Sequence, residues 1–302
     1  MTADRIEQFE ADIAASPAAL ARLLDGWRPV RVGPSQRIVF VGLGSSRFAA
    51  EGLAPLLRAR GRSASVDVAG AESGTMPAGD VTLIAISASG GSREVVDAAA
   101  RHRGRGPVIA VTNRADSRLG AAADELIVLE AGEETSGIAC RTFRATIAAL
   151  ALLTGLTSVD GLRPVVDRLA ARLDGRRAWL DPLVSALDGA PAIDVLGDGP
   201  MVGAAEQAAL MLREGPRLPA HAWHTVEWLH TAVYLAWPGH RVVLYPGSVA
   251  DADVEEAVTR RSGVLLRMTT TDGDPVTRAI LDSTLMEMVG LELWRRATGE
   301  AR

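Results

Sequence analysis

The sequence predicts an α/β protein that contains two doubly wound parallel sheets in tandem. Short runs of Val, Ile and Leu alternate with longer segments of helical periodicity. This alternation is typical of parallel sheets that are covered by helices on both faces. Two of the apolar runs end in glycine turns, at residues 42–44 and 197–199, and each turn begins a similar series of strands and helices. The repeated series predicts a duplicated fold.

Four consecutive segments are expected along the chain. Residues 1–30 form an N-terminal helical segment, because apolar residues recur there at helical spacing and Pro17 breaks the run. Residues 31–156 form the first sheet domain, 157–190 a helical connection, and 191–302 the second sheet domain. The predicted strands are 37–41, 64–68, 81–86, 108–112 and 125–128 in the first domain, and 192–196, 241–245 and 264–268 in the second. Residues 47–60, 159–187, 202–213 and 274–296 have the pattern of helices.

Composition limits the possible locations and partners. The 302 residues suffice for two domains of about 150 residues each, and 48% of them are hydrophobic. No apolar run approaches the roughly 18 residues of a membrane span, and the N-terminus lacks the apolar core of a signal peptide. A single cysteine, Cys140, fits a reducing cytoplasm. With a net charge of −5 and no extended basic cluster, neither nucleic acid nor a membrane is an expected partner.

The absence of lysine restricts the chemistry. All 32 basic residues are arginine. A lysine Schiff base with a carbonyl substrate is therefore excluded, and so is lysine-bound pyridoxal phosphate. The sequence predicts no cofactor.

Two serine-rich turns are candidates for a phosphate site. Ser87, Ser89 and Ser92 lie between an apolar strand and a helical pattern, and Ser46 lies in the earlier glycine turn. Hydroxyls and backbone N–H groups at the start of a helix suit a phosphate dianion. A small-residue turn between buried elements is the alternative interpretation. Dinucleotide binding is disfavoured, because Arg47 occupies the position of the third glycine in the dinucleotide-binding motif GxGxxG.

Several segments together resemble the sugar isomerase (SIS) family. They are GLGSS at 42–46, similar to the family's CGTS; ISASGGS at 86–92, similar to SQSGET; VTN at 111–113, similar to ICN; and AGEETSGIACRTF at 131–143, similar to AGTEIGVASTKAF. The resemblance covers nearly the whole chain. It is greatest to double-SIS, flavodoxin-like members such as the isomerase domain of glucosamine-6-phosphate synthase and the fructosamine-6-phosphate deglycases.

The resemblance implies roles for individual residues. Ser46, Ser87, Ser89 and Ser92 would bind the phosphate of a sugar phosphate or aminosugar phosphate. Glu214 would be the catalytic base, and His230, sixteen residues later, the histidine that opens the sugar ring. Family sites borrow that histidine from a neighbouring subunit, so a homodimer with shared active sites is expected.

This sequence also departs from the family pattern. The family's HGP is His230-Thr231-Ala232 here, Met211 replaces a lysine, and Gly91 replaces an acidic residue. These differences leave open a non-catalytic sugar-phosphate-binding regulatory protein. Because such a sensor usually carries a DNA-binding domain, and none is detected, the enzyme interpretation is preferred.

Residues 214–240 allow more than one interpretation on their own. Glu214 is either a solvated carboxylate, the usual state of glutamate, or a base in a partly apolar pocket. Four histidines lie at 221, 224, 230 and 240. A zinc site is disfavoured, because no cysteine or evident carboxylate completes a tetrahedral ligand set, and no metal is predicted. Trp223, Trp228 and Trp237 are expected in the core or a dimer interface rather than as sugar-stacking platforms.

The sequence therefore predicts a cytoplasmic enzyme that moves a proton between C1 and C2 of a phosphorylated sugar. Without lysine it cannot form its own imine with the substrate. It would act either as an aldose–ketose isomerase or as a deaminase or deglycase, on a substrate that supplies its own nitrogen.

Overall fold

The computed structural model describes residues 3–30, 32, 37–71, 78–268 and 272–299. The chain divides into two compact units that are not consecutive in sequence. The N-sheet unit comprises Ala15–Glu133 and Arg141–Asp167; the C-sheet unit comprises Met1–Ala14, Glu134–Cys140 and Arg168–Arg302. The first helix and a short internal loop thus group with the second sheet. The four-segment division stays a prediction, and its first boundary, at residue 31, lies outside the described residues.

The described residues of the N-sheet unit form a five-stranded parallel sheet with the order β2-β1-β3-β4-β5. The strands are β1 (Arg37–Gly42), β2 (Ser63–Val68), β3 (Val81–Ile86), β4 (Val108–Thr112) and β5 (Glu125–Val128). Every residue of β3 and β4 is buried, as expected of parallel strands covered on both faces. From β1 the chain continues to β2 on one side, and β3 lies on the other. The carboxyl ends of β1 and β3 therefore flank the topological switch point, where ligands of open α/β sheets bind.

Helices cover this sheet at nearly all the predicted places. They are α2 (Ser16–Gly26), α3 (Ser45–Glu51), α4 (Ala54–Ala59), α5 (Arg93–His102), α6 (Arg118–Ala121) and α7 (Arg141–Leu153), followed by α8 (Val159–Asp174), which runs past the end of the unit. The single helix predicted over 47–60 is two helices. Gly52 ends the first, and Pro55 lies in the first turn of the second, where its missing N–H is tolerated.

The described part of the C-sheet unit forms a four-stranded parallel sheet with the order β7-β6-β8-β9. The strands are β6 (Ile193–Leu196), β7 (Ala220–Trp223), β8 (Arg241–Leu244) and β9 (Val264–Arg267). The relative order of the strands repeats that of the first four strands of the N-sheet unit. The predicted α/β fold with tandem parallel sheets is confirmed. Strand β7 is short, begins directly after Pro219 and was not predicted from the sequence.

Three helices of the C-sheet unit pack against one long helix. The helices of the unit are α1 (Ala3–Ala14), α9 (Arg177–Leu187), α10 (Met201–Glu214), α11 (Thr225–Thr231), α12 (Asp251–Arg260) and the long α13 (Pro275–Thr298). Helix α13 contacts α1, α9 and α10, and most of its residues are buried. The Asp274 carboxylate caps its first turn by accepting the N–H groups of Val276 and Thr277. None of the helices in the described ranges is long and apolar enough to cross a membrane. The cytoplasmic location stays a prediction.

Candidate functional site

The turns after β1 and β3 lie side by side at the switch point of the N-sheet unit. The two strands pair in parallel, with Val41 opposite Ala85. A Cβ atom on Gly42 would lie 3.3 Å from the Ile86 carbonyl oxygen and 3.3 Å from the backbone carbon of Ser46. Only glycine allows this close approach without displacing a neighbour. The Ser46 turn and the strand end that leads to Ser87 are thus brought together.

The turn after β3 places two serine hydroxyls in contact. Ser87 is buried, and its Oγ lies 3.0 Å from the Oγ of Ser92, which immediately precedes α5. The first turn of α5 has no side-chain cap among the described residues. Ser89 is exposed, and its Oγ accepts a hydrogen bond from the Gly91 N–H at 3.2 Å. The arrangement leaves hydroxyls and helix N–H groups facing the same turn, which suits an oxyanion.

The end of β4 holds this turn rigid. Gly90 has φ +63°, and a Cβ atom there would lie 2.3 Å from the Cβ of Ser117. The Ala88 carbonyl accepts hydrogen bonds from the Asn113 N–H at 3.0 Å and from the Thr112 hydroxyl at 3.2 Å. Any side chain at position 90 would therefore displace Ser117 and distort the serine turn.

Ser46 begins the other side of the candidate phosphate site. It lies in the first turn of α3, is partly buried, and makes no hydrogen bond through its hydroxyl to a described residue. The neighbouring Arg47 forms an ion pair with Glu51 at 2.6 Å, and its guanidinium lies over the Phe48 ring. The hydroxyl of Ser46 is thus available to a ligand.

Asn113 has a positioning role that the sequence analysis missed. Its Oδ1 accepts the Ala131 N–H at 2.9 Å, and its Nδ2 donates to the Gly132 carbonyl at 2.6 Å. Both polar atoms of one side chain thus fix the start of the AGEE loop at 131–134. The sequence signals were the position of Asn113 at the carboxyl end of β4 and its place in the VTN segment at 111–113.

Glu214 ends α10 in the C-sheet unit, beside an open cleft. The cleft has a volume of about 330 Å³ and is lined by Gly215, Pro216, Arg217, Trp294, Ala297 and Thr298. Much of the Glu214 side chain is exposed, yet burial of part of it raises the pKa of the carboxyl. Arg5 and, more weakly, Arg213 oppose this effect by lowering the same pKa. A raised carboxyl pKa is what a general base working near neutral pH requires.

Arg5 links Glu214 electrostatically to a loop that also belongs to the C-sheet unit. Its Nε donates to the Ser136 carbonyl at 2.7 Å, and its guanidinium lies 5.8 Å from the centre of the Trp294 ring. The same loop is anchored to α10 through Gln207, whose Nε2 donates to the Ala139 carbonyl at 2.6 Å. The segment at 131–143 that resembles a family motif is thus divided between the two units.

His230 lies on α11, also in the C-sheet unit. Its side chain is exposed and has no hydrogen-bond partner in the described part of the chain. The two residues predicted as a catalytic pair therefore belong to one unit but lie on different helices, Glu214 at the end of α10 and His230 on α11.

The other histidines differ in environment. His221 is exposed on β7, whereas His224 places Nδ1 3.2 Å from Oδ1 of Asp198. His240 is buried, and its Nε2 lies 2.9 Å from Oδ2 of Asp194. Within the described ranges, no group of three or more His, Cys, Asp and Glu side chains is placed to hold a metal ion.

The corresponding turn of the C-sheet unit is occupied by carboxylates. The N–H groups of Gly247 and Ser248 donate to the two oxygens of Asp251, at 2.8 and 3.2 Å. The Ser248 hydroxyl donates to Asp198 at 2.5 Å. Since these donors already bind internal anions, a phosphate is favoured at the serine turns of the N-sheet unit.

Comparisons with known proteins agree with this architecture. Residues 34–155 match the family model described as the SIS domain. Over 196 residues, 60% of this chain, the sequence is 32% identical to glutamine–fructose-6-phosphate aminotransferase (isomerizing) of Aeropyrum pernix, and the match spans 31% of that protein.

Two solved structures share the fold over almost the full chain. The C-terminal domain of glucosamine-fructose-6-phosphate aminotransferase from Francisella tularensis has a TM-score of 0.79 at 15% identity, covering 97% of this chain and 96% of that one. Glucosamine-6-phosphate deaminase from Thermotoga maritima has a TM-score of 0.72 at 16% identity, covering 96% and 94%. At these identities, the two structures show that this chain shares their fold.

Proposed function

We propose that the protein is a phosphosugar enzyme with two SIS units, acting as an aldose–ketose isomerase or as a deaminase or deglycase of aminosugar or fructosamine phosphates. The observation that carries the proposal is the serine turn at the switch point of the SIS domain, where the Ser87 and Ser92 hydroxyls lie 3.0 Å apart. The deaminase named among the similar structures supports the choice of substrate class.

Each proposed residue has a separate task. Ser46, Ser87, Ser89 and Ser92 bind the phosphate. His230 transfers a proton at the ring oxygen, so that the sugar opens to its carbonyl form. Glu214 then removes the proton from C2 of an aldose and returns it to C1 of the enediol, while the hydroxyl proton of O2 is transferred to O1, which yields the ketose. Its partly buried carboxyl supports this role.

The absence of lysine defines how a nitrogen substrate reacts. No enzyme amine is available to form an imine with the sugar. A fructosamine phosphate already carries nitrogen on C1. Moving one proton from C1 to C2 and a second from the nitrogen to O2 converts it to the aldose imine, and water then hydrolyses the imine to the aldose phosphate and a free amine. Both candidate reactions thus share the transfer catalysed by Glu214.

A homodimer is part of the proposal, with His230 contributed to the partner's site. The support is a cluster of exposed apolar side chains around α11. Of the eight large apolar residues exposed among the described residues, four lie within twelve positions: Val226, Tyr234, Leu235 and Trp237. Tyr234 is 76% exposed. Aromatic side chains that are exposed close together suit a protein interface.

Incubation with a panel of hexose and aminohexose 6-phosphates in deuterated water tests the proposal. We expect exchange at C2 of an aldose or C1 of a ketose for at least one member, whichever net reaction is natural. The unphosphorylated sugars are the control and should not exchange. Tight binding of a phosphosugar without exchange would contradict the enzyme and favour the regulatory alternative.

A further inference from the structure

The short helix α11, which carries His230, depends on a few contacts for its position. It has seven residues, and the buried ones are Thr225 and Trp228. A helix of this length is not stable by itself. Its place is set by the apolar cluster against which Trp228 and the partly buried Leu229 pack, and by the polar contacts of Thr225 and Trp228. His230 is exposed and contributes no packing of its own.

The first of these contacts is a buried carboxylate on the neighbouring strand. Asp194 lies in the apolar strand β6 and is 2% exposed. Its Oδ2 accepts a hydrogen bond from Nε1 of Trp228 at 2.8 Å and lies 2.9 Å from Nε2 of His240. Its Oδ1 accepts from Nε1 of Trp223 at 3.0 Å. A carboxylate in the core is tolerated only with such partners. Its hydrogen bond to Trp228 therefore constrains the position of that indole ring.

The second contact is made by Asp198, in the turn that follows the same strand. Its Oδ1 accepts the backbone N–H of Thr225, the first residue of α11, at 3.2 Å. Its Oδ2 accepts the Ser248 hydroxyl at 2.5 Å, so the turn after β8 holds the carboxylate in place. A carboxylate that receives the first N–H of a helix stabilises that end of it.

We infer that Asp194 and Asp198 are positioning residues for His230, an inference that rests on the proposed function. One carboxylate fixes α11 through the side chain of Trp228, and the other fixes its first turn. Neither touches the substrate. Their effect is to place the His230 imidazole where the ring oxygen of the sugar binds. Displacement of a reacting group by about 1 Å can lower a rate by about 10²-fold, so small movements of α11 matter.

Two matched variants separate positioning from general stability. Trp228→Phe and Trp223→Phe each remove one indole N–H from the same carboxylate, but only Trp228 lies on α11. Proton exchange is measured with a ketohexose 6-phosphate and with its 5-deoxy analogue, which lacks the ring-closing oxygen and stays open. We expect Trp228→Phe to lower the ratio of the rate with the cyclising substrate to the rate with the open analogue about tenfold or more. His230→Ala should have the same effect, and Trp223→Phe should leave the ratio unchanged.

A spectroscopic readout keeps the inference testable apart from activity. The five histidines give five Cε1–H signals by NMR, and His230→Ala identifies the signal of His230. Trp228→Phe should shift that signal, whereas Trp223→Phe should not. If circular dichroism shows that Trp228→Phe is unfolded, Asp198→Ala replaces it. We expect Asp198→Ala to differ from Trp223→Phe in the same way, in both the rate ratio and the His230 signal.

The outcomes distinguish two failures. If the parent exchanges protons and Trp228→Phe changes neither the ratio nor the His230 signal, the positioning role is wrong. If the parent exchanges no protons while Trp228→Phe still shifts the His230 signal, the carboxylates position His230 but the proposed function is wrong. His230 then has no catalytic role for them to support.

Discussion

Removing the hydroxyl of Ser87 is the sharpest perturbation of the candidate phosphate site. The residue is buried at the end of β3, so Ser87→Ala takes away one oxygen without exposing a new surface. A hydrogen bond to a charged group contributes about 1.5–3 kcal/mol. Since about 1.4 kcal/mol corresponds to tenfold in affinity, we expect Kd for a phosphosugar to rise about 10- to 150-fold.

The contact between Ser87 and Ser92 adds a second, independent expectation. The two hydroxyls lie 3.0 Å apart, so each orients the other. Residues in direct contact are not additive on substitution. The double variant Ser87→Ala/Ser92→Ala should therefore lose less affinity than the product of the two single losses. Ser89→Ala, which lacks this contact, should combine with Ser87→Ala more nearly additively.

Isothermal titration calorimetry with a hexose 6-phosphate provides the assay. Ser158→Ala is the matched control, because it also removes a serine hydroxyl, one that accepts the Gly161 N–H at 3.1 Å elsewhere in the N-sheet unit. Its loss should cost some stability and no affinity. If Ser87→Ala binds within twofold of the parent, the phosphate does not bind at this turn and the reasoning is refuted.

Three further predictions follow from the C-sheet unit and the composition. Of the two arginines that lower the Glu214 pKa, Arg5 has the greater effect. Arg5→Gln should therefore move the acidic limb of the pH–rate profile to higher pH, and further than Arg213→Gln does; an unchanged limb would contradict the assignment of Glu214 as the base. Light scattering at micromolar concentration should give twice the chain mass of 31.7 kDa, and Tyr234→Asp should lower it; an active monomer would falsify the shared site. Borohydride with substrate should trap no covalent adduct, since the sequence contains no lysine; a trapped adduct would exclude the proposed mechanism.

Local sequence patterns were sufficient for most of the fold. Strands such as Val81–Ile86 are continuous apolar runs, and their burial on both faces follows directly from that composition. Strand β7 was missed because Ala220–Trp223 contains a histidine and a tryptophan and is too short to show a period. The helix predicted over 47–60 was too long, because the break at Gly52 depends on local geometry that periodicity does not report.

The candidate site was less accessible to sequence reasoning, because its contacts join distant parts of the chain. The serine turns were identified from their composition, and the placement of β1 beside β3 explains why they adjoin. In contrast, nothing in the sequence links Asp194 to Trp228, or Arg5 to Glu214. An aspartate inside an apolar strand was a visible anomaly, but its partners are defined only by tertiary packing.

The central claim is that Glu214 moves a proton between C1 and C2 of a bound sugar phosphate. The most direct measurement compares the parent and Glu214→Gln for proton exchange with deuterated water, at a saturating concentration of the best substrate of the panel. The amide keeps the shape of the side chain but cannot accept the proton, so exchange should fall about 10²–10⁴-fold while substrate affinity is retained. Full exchange activity in Glu214→Gln would contradict the claim.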